Sequence, residues 1–205
     1  MCAAEAEIPL LAWWDANRAD LPWRRTGDPY AIWIAEVMLQ QTQIAAVIPY
    51  YERWLARFPT VEALAAASLD EVLKQWEGLG YYSRARHLHA AARRIVADHG
   101  GRLPDTLAGL LQLPGVGRYT AGAVASIAYG VRAPVLDGNV IRVLSRLFDV
   151  ADDVTRPETR ARLWTLAEAL VPAERPGDYN QALMELGQVI CVPQRPRCLL
   201  CPLRD

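Results

Sequence analysis

The sequence predicts an all-α protein, and three observations carry this prediction. Residues that favour helices, alanine and leucine above all, recur throughout the 205-residue chain. Many of its 13 glycines and 14 prolines fall between the candidate helices, where they end one helix or open the next. Alternating apolar and polar runs, which are typical of strands, are scarce. We therefore expect about ten short helices joined by short connections.

Capping patterns indicate where the helices begin. Asp28 followed by proline predicts a helix over residues 30–39. Ser68 begins a capping box, and Gly78 would end the helix that this box opens. Further helix starts are expected at Ser83, Thr106, Thr120, Gly138, Pro157 and Asp178.

Composition limits the class of protein. The chain is 52% hydrophobic, which is enough for a substantial core, and its net charge is −1. Because no global positive field indicates a polyanion partner, any binding of DNA would have to be local. No apolar run reaches membrane-spanning length, and the first residues lack a signal-peptide pattern, so we expect a cytoplasmic protein with no membrane partner.

A turn formed by Gly115, Val116 and Gly117 precedes a predicted helix. Such a turn can present several backbone N–H groups to an anion without any basic side chain. Asp137 follows in a Gly/Asn turn, where its carboxylate can point at a bound ligand. A turn that can bind phosphate, together with a carboxylate that can point at the bound group, suggests chemistry on a nucleic acid. Glycine turns also occur at ordinary helix ends.

Glu36 lies in the apolar segment 31–39, a pattern typical of a buried helix. A buried carboxylate costs free energy unless it is paired or used, and burial would raise its pKa towards that of a general acid. The alternative is a solvated or arginine-paired glutamate at the edge of the apolar stripe. Asp137 also has an ordinary alternative, as the N-cap of the helix that follows.

Two short segments are candidates for contact with bases. Gln41 follows the apolar helix, and Tyr81 lies on a glycine-rich loop. An amide can read base edges, and an aromatic ring can stack on bases or wedge between them. The alternative is a pair of surface loops with an aromatic covering the core. We expect four tryptophans in the core and the histidines on solvated faces: Trp33, Trp54, Trp76, Trp164, His87, His89 and His99.

Three cysteines, Cys191, Cys198 and Cys201, crowd the end of the sequence with the spacing Cys-x6-Cys-x2-Cys-Pro. In a cytosolic protein, such clustering suggests a metal rather than disulfides. The spacing suits an iron–sulfur cluster better than a zinc finger, but three thiolates are an incomplete ligand set. Cys2 is too remote in sequence to be assumed as the fourth ligand.

Together these motifs resemble the helix-hairpin-helix DNA glycosylase superfamily that includes endonuclease III. The glycine turn, the Gly-Asn turn with Asp137 and the cysteine spacing carry the resemblance. Three segments are similar specifically to adenine DNA glycosylases of the MutY type: residues 36–43, 78–86 and 136–140. The likeness runs from about Leu10 to the last residue.

The resemblance implies two helical domains with DNA held in a cleft between them. A six-helix module would span residues 24–132 and contain the hairpin. Residues 1–23 with 133–205 would form the second domain, including the cysteine loop at 191–205. Full-length relatives usually carry a further C-terminal domain that helps to recognise 8-oxoguanine, and we expect this domain to be absent here.

The resemblance also implies removal of adenine mispaired with 8-oxoguanine or guanine in double-stranded DNA, by a monomer associated with the nucleoid. The nucleotide would be flipped out of the duplex. Glu36 would protonate the base at N7, and Asp137 would stabilise the oxocarbenium-like sugar. The remaining implied site residues are Asn139 and Tyr119 beside the carboxylates, with Arg24, Gln41, Tyr81, Arg84, Gly115, Val116, Gly117 and Gln181 at the DNA or the base.

Relatives that also cut the DNA backbone carry a lysine, which forms a Schiff base, at the position of Tyr119. The only lysine of this sequence, Lys74, lies on a different predicted helix, so we expect a hydrolase with little or no β-lyase activity. A [4Fe–4S] cluster on Cys191, Cys198 and Cys201 is implied as well, with its fourth cysteine ligand missing from this chain.

Other functions stay open. A mismatch thymine or uracil glycosylase could use the same scaffold, but protonation of a purine ring nitrogen is the task that calls for an acid at Glu36. A non-catalytic helix-hairpin-helix DNA-binding module would need Glu36 only as a solvated side chain and Asp137 only as a cap. An electron carrier built on the cluster is a weaker alternative, because the ligand set is incomplete.

Overall fold

A computed structural model of the protein describes residues 3–204, with side chains from residue 7 onward. The described residues form α-helices and two short 3₁₀ turns without a strand, so the all-α prediction is confirmed. None of the described helices combines the length and apolarity needed to cross a membrane. The helices are α1 (Ala3–Asn17), α2 (Pro29–Met38), α3 (Ile44–Arg57), α4 (Val61–Ala66), α5 (Leu69–Trp76), α6 (Ser83–His99), α7 (Leu107–Leu111), α8 (Arg118–Tyr129), α9 (Gly138–Leu147), α10 (Pro157–Leu170) and α11 (Pro176–Val189).

Capping side chains begin several helices where the sequence predicts them. The Asp28 carboxylate accepts a hydrogen bond from Tyr30 N at the start of α2. Ser68 and Glu71 form the predicted capping box at the start of α5. The Thr106 hydroxyl accepts a hydrogen bond from Gly109 N at the start of α7. These bonds satisfy amide groups that the first turn of a helix leaves unpaired.

Three predicted helix starts are wrong by one or two residues. α8 begins at Arg118 rather than Thr120. α6 includes Ser83, and the preceding Tyr82 holds the N-cap position without a side-chain bond. α11 begins at Pro176 rather than Asp178, because the fixed φ of proline suits the first turn of a helix.

Two predicted side-chain environments are also wrong. His89 is 8% exposed rather than solvated, and its Nε2 lies 3.0 Å from Ala67 O, so a backbone carbonyl satisfies the buried ring. Trp164 is only half-buried, on α10. The other tryptophans expected in the core are buried there: Trp33, Trp54 and Trp76.

Residues 20–124 form one compact unit. In this unit α2 packs against α3 and α6, α5 packs against the same two helices, and α4 packs against α6. The buried rings of Trp54 and Trp76 meet edge to face with centroids 5.5 Å apart. Nine residues of α2 are buried, so this helix has no solvated face.

The described residues 3–19 with 125–204 form the second compact unit. Here α11 and α10 each pack against α1 and α9. The buried Asn180 of α11 donates to Ser126 Oγ and to Ala133 O. The assignment of residues 24–132 and of the remainder to two functional domains stays a prediction.

Gly177 of α11 approaches the backbone of α8 closely. A Cβ at this position would lie 2.6 Å from Ser126 O and 2.7 Å from Ile127 Cα. Because backbone atoms cannot rotate away, we expect Gly177→Ala to lower the free energy of unfolding by about 1–3 kcal/mol in urea denaturation. Gly27→Ala is the matched control, since nothing lies within 4 Å of its Cβ position. Equal stability of the two variants would contradict this packing argument.

Candidate active site and nucleic-acid interface

Glu36 is a buried carboxylate on α2, 5% exposed. The phenol of Tyr119, in the first turn of α8, donates to Glu36 Oε2 at 2.8 Å. A second bond joins the same segments, from Gln40 Nε2 to Thr120 Oγ1 at 3.0 Å. The burial excludes a solvated glutamate, and the fold brings together two residues that come from separate motifs. Nothing in the sequence signals the bond between Gln40 and Thr120, because it depends on how α2 and α8 meet.

The glycine turn leads directly into α8. Gly115 has a φ of +73°, and a Cβ there would lie 2.4 Å from His87 Cβ, so this position requires glycine. Val116 N–H donates to Leu113 O at 3.1 Å, and the Val116 side chain is buried. The Val116 amide therefore closes the turn itself, while Gly115 and Gly117 are exposed on either side of it.

Asp137 is the N-cap of α9. Its Oδ1 accepts a hydrogen bond from Val140 N at 2.7 Å, and its Oδ2 accepts one from Asn139 Nδ2 at 2.8 Å. The capping interpretation is therefore correct as a description of local structure. It leaves a chemical role open, because the carboxylate is half-exposed and is held in one orientation.

Two arginines of α9 connect this cap to the cysteine loop. Arg142 donates from Nη2 to Asn139 Oδ1 at 2.8 Å and from Nε to Cys191 O at 2.7 Å. Arg146 donates to Cys191 Sγ at 3.3 Å and to Val192 O at 2.8 Å. Neither arginine is a predicted site residue. Their spacing places them on one face of α9, but the contact with a cysteine loop far along the chain cannot be read from the sequence.

The cysteine loop places Cys191, Cys198 and Cys201 within one short segment. Burial raises the pKa of the Cys201 thiol, and the two neighbouring cysteines act in the same direction. Within residues 3–204, no three His, Cys, Asp or Glu side chains are arranged to hold a metal ion. The three thiols have the chemistry that an iron–sulfur cluster requires, but this arrangement is not a complete ligand set. Cys2 lies outside the described residues.

Gln41 and Tyr81 are exposed on two loops of the unit that contains Glu36. Both have a left-handed backbone, with φ of +56° and +47°, and Tyr81 is 60% exposed. Arg84, which the resemblance places at the DNA, is buried instead, and its Nη1 donates to Met38 O at 2.8 Å. The structure differs from the prediction here, because the Arg84 guanidinium donates its hydrogen bonds to backbone carbonyls of the protein itself.

Arg24 and Gln181 are both half-buried. Arg24 ends the 3₁₀ turn Pro22–Arg24 in the unit that contains Glu36, and Gln181 lies on α11 in the unit that contains Asp137. The Gln181 amide donates to Gly177 O at 3.3 Å. The first unit also holds Tyr119, Gln41, Tyr81, Gly115, Val116 and Gly117, and the second also holds Asn139, Cys191, Cys198 and Cys201.

Comparison with known proteins gives consistent relatives. Human adenine DNA glycosylase is 52% identical over 96% of this chain and 38% of its own length. Adenine DNA glycosylase of Buchnera aphidicola subsp. Acyrthosiphon pisum is 39% identical over 95% of this chain and 56% of its own length. The chain therefore spans 38% to 56% of the length of these two relatives.

Two solved structures have the same fold. A thermostable thymine-DNA glycosylase superposes with a TM-score of 0.86 at 35% identity, covering 95% of this chain and 90% of that one. A trapped endonuclease III–DNA covalent intermediate superposes with a TM-score of 0.80 at 26% identity, covering 98% of this chain and 90% of that one.

One family model covers most of the candidate site residues described above. The HhH-GPD superfamily of base excision DNA repair proteins matches residues 34–169, which include Glu36, the glycine turn and Asp137. This range is more than half of the chain. The chain therefore belongs to the HhH-GPD superfamily of base excision DNA repair proteins.

Proposed function

We propose that this protein is an adenine DNA glycosylase that removes adenine mispaired with 8-oxoguanine or guanine in double-stranded DNA. The observation that carries the proposal is the buried Glu36 carboxylate, which accepts a hydrogen bond from the Tyr119 phenol. The 52% identity to human adenine DNA glycosylase over 205 residues supports it. The reaction is hydrolysis of the N-glycosidic bond between adenine and deoxyribose, with water as the second reactant.

Glu36 is the proposed acid. Adenine inside a duplex is out of reach of any side chain, so the nucleotide must leave the stack at a cost of about a few kcal/mol. Glu36 then donates its proton to adenine N7, which makes the base a better leaving group. The 2.8 Å bond from Tyr119 keeps the Glu36 carboxyl in place, and the apolar residues of α2 shield it from water.

Asp137 is the proposed stabiliser of the sugar. Positive charge develops on the deoxyribose as its bond to adenine breaks, and a carboxylate beside it lowers the energy of that state. The bonds from Val140 N and Asn139 Nδ2 hold both Asp137 oxygens before substrate arrives. Adenine leaves with the proton that Glu36 supplied, water adds to C1′, and the proton that water loses returns to the Glu36 carboxylate.

The DNA contacts are proposed on the exposed parts of the site. Gln41 and Tyr81 enter the base stack and hold the space that the flipped nucleotide leaves. The backbone of Gly115 and Gly117, with the first turn of α8, binds a phosphate through amide groups and the positive end of the helix dipole. Arg24 in one unit and Gln181 in the other are further proposed contacts of the adenine base.

A mismatch thymine or uracil glycosylase is the second candidate, and the likeness to a solved thymine-DNA glycosylase favours it. The buried Glu36 favours adenine, because protonation of a purine ring nitrogen calls for an acid at this place. A non-catalytic DNA-binding module is less well supported, since it would leave a buried and hydrogen-bonded carboxylate without a use.

We propose that the cysteine loop holds a [4Fe–4S] cluster through Cys191, Cys198 and Cys201, with a fourth ligand from outside the described residues. The bond from Arg146 Nη1 to Cys191 Sγ holds this sulfur in place beside α9. Such a cluster would join the three cysteines within the loop, and Arg142 and Arg146 connect the loop to α9. We further propose a monomer that acts on nucleoid DNA in the cytoplasm, with residues 24–132 and the remainder as its two functional domains.

The substrate and the acid can be tested together. In single-turnover assays, we expect excision of adenine from an A:8-oxoguanine duplex and no excision from T:G or U:G duplexes. Glu36→Gln keeps the size of the side chain but removes the acid, so the excision rate falls by about 100-fold or more, while duplex binding in gel shifts is retained. Preferred excision of thymine or uracil would contradict the substrate, and full activity of Glu36→Gln would contradict the acid.

Substitutions separate the two roles of Asp137. Asp137→Asn keeps an oxygen that can accept from Val140 N at the start of α9 and loses the bond from Asn139 Nδ2, whereas Asp137→Ala loses both bonds. We therefore expect the free energy of unfolding to be lower in Asp137→Ala than in Asp137→Asn by about 1 kcal/mol. Both variants lack the carboxylate, and both lose excision. Chemical denaturation and the excision assay measure the two effects. Were Asp137→Asn to keep full excision, Asp137 would be a cap alone.

The absence of lyase chemistry can be tested by trapping. Schiff-base formation needs an amine at the reacting sugar, and the single lysine, Lys74, is exposed on α5 in an ion pair with Glu77 at 2.6 Å. We expect borohydride to trap little covalent adduct between the protein and abasic DNA, and Lys74→Arg to leave that amount unchanged. Efficient trapping by the unmodified protein would show that it is a lyase.

A further inference from the structure

Arg84 is a buried cation whose hydrogen bonds go to the protein itself. It lies in the first turn of α6 and is 7% exposed. No carboxylate is among its hydrogen-bond partners in residues 3–204. Its guanidinium donates at 2.6–3.4 Å to five backbone carbonyls and one hydroxyl, those of Val37, Met38, Gln40, Leu79, Gly80 and Thr42.

The surroundings of Arg84 compensate its charge without an anion. Val37 and Met38 supply the last carbonyls of α2, where the helix dipole is negative. The guanidinium also lies over the ring of Trp76, 5.1 Å from the centroid, and over the ring of Tyr81, 5.4 Å from the centroid. Five carbonyls, one hydroxyl and two aromatic faces thus replace water around the two Nη groups, while the buried Nε has no hydrogen-bond partner among the described residues.

The first loop that Arg84 holds is residues 39–43, between α2 and α3. Gln40 O and Thr42 Oγ1 both accept from Arg84, and these residues are the two neighbours of Gln41. Gln41 has a left-handed backbone, a conformation that is strained for a residue other than glycine. Such a conformation persists only where the surroundings hold it, and Arg84 bonds on both sides of it.

The second loop is residues 77–82, between α5 and α6. Leu79 O and Gly80 O accept from Arg84 directly before Tyr81. Tyr81 is again left-handed, and the guanidinium lies over its ring. The Arg84 side chain therefore bonds to both loops. Each loop carries one exposed, left-handed residue, Gln41 or Tyr81, that is a candidate for entry into the base stack.

We infer that Arg84 is a positioning residue that holds the Gln41 and Tyr81 loops at a fixed separation, so that both side chains enter the base stack together as the adenine nucleotide leaves it. The inference rests on the proposed function, because it concerns extrusion of that nucleotide. Arg84 acts through the two loops and does not touch DNA.

Lysine cannot replace arginine in this role. An ammonium group offers three donors from one atom, whereas a guanidinium offers five across a plane and can bond to both loops at once. Arg84→Lys thus keeps the charge and loses the simultaneous bonds. Arg93→Lys, an exposed position on the same helix, is the matched control. Thr42→Val, which removes one acceptor, is a milder second variant should Arg84→Lys fail to fold by circular dichroism.

The experiment measures extrusion separately from chemistry. The duplex carries 2-aminopurine beside the target adenine, opposite 8-oxoguanine, and its fluorescence rises when the neighbouring base leaves the stack. Stopped-flow fluorescence and single-turnover excision are recorded for the unmodified protein and for Glu36→Gln, Arg84→Lys, Thr42→Val and Arg93→Lys. Binding to undamaged duplex is titrated at several salt concentrations.

We expect Arg84→Lys to lose the fluorescence rise and to slow excision by about ten- to a hundred-fold, as misplacement near a reacting centre does. Thr42→Val gives a smaller loss of the same kind, and Arg93→Lys gives none. Glu36→Gln keeps the rise and loses excision. The dependence of undamaged-duplex binding on salt is the same for Arg84→Lys and the unmodified protein, because no phosphate contact is removed.

Two results would overturn the inference. One is a normal fluorescence rise and excision rate in both Arg84→Lys and Thr42→Val. The other is a salt dependence reduced by about one phosphate contact in Arg84→Lys, which would make Arg84 a direct DNA ligand. Failure of the unmodified protein to excise adenine, with the fluorescence contrast intact, would refute the proposed function and leave the role of Arg84 supported.

Discussion

The site depends on one constraint: α2 has no polar face, yet it carries a carboxylate. A carboxyl group buried among apolar residues costs free energy unless hydrogen bonds compensate it, and the Tyr119 phenol supplies one. Tyr119 lies two residues after Gly117, in the first turn of α8. One turn of backbone therefore holds the buried acid and also begins the helix whose N-terminus is the proposed phosphate site.

Much of the arginine in this protein is used to organise backbone rather than to project charge. Arg84 bonds to the end of α2 and to two loops, and Arg142 and Arg146 bond to the cysteine loop. At a net charge of −1, the chain has no overall excess of positive charge. The proposed binding of a DNA phosphate by backbone amides at the glycine turn is consistent with this charge balance, because it needs no basic side chain.

Local chemistry made most of the fold predictable. The caps at Asp28 and Ser68 and the glycine at 115 act within a few residues of the chain, so the sequence displays them directly. The error at His89 arises where a neighbour distant in sequence decides the environment of the side chain. The sequence predicts a solvated face for His89, but the ring is buried and the carbonyl of Ala67 satisfies it.

By itself the sequence determined the helical class, the positions of the two carboxylates and the motifs that identify the superfamily, because these follow from local periodicity, capping and residue type. Only the tertiary structure decided that Glu36 is buried and hydrogen-bonded to Tyr119, and that Arg84 faces inward. Those facts depend on which helices meet and which carbonyls lie within reach of a side chain. Contacts between residues far apart in sequence are fixed by packing, which a reading of local patterns does not contain.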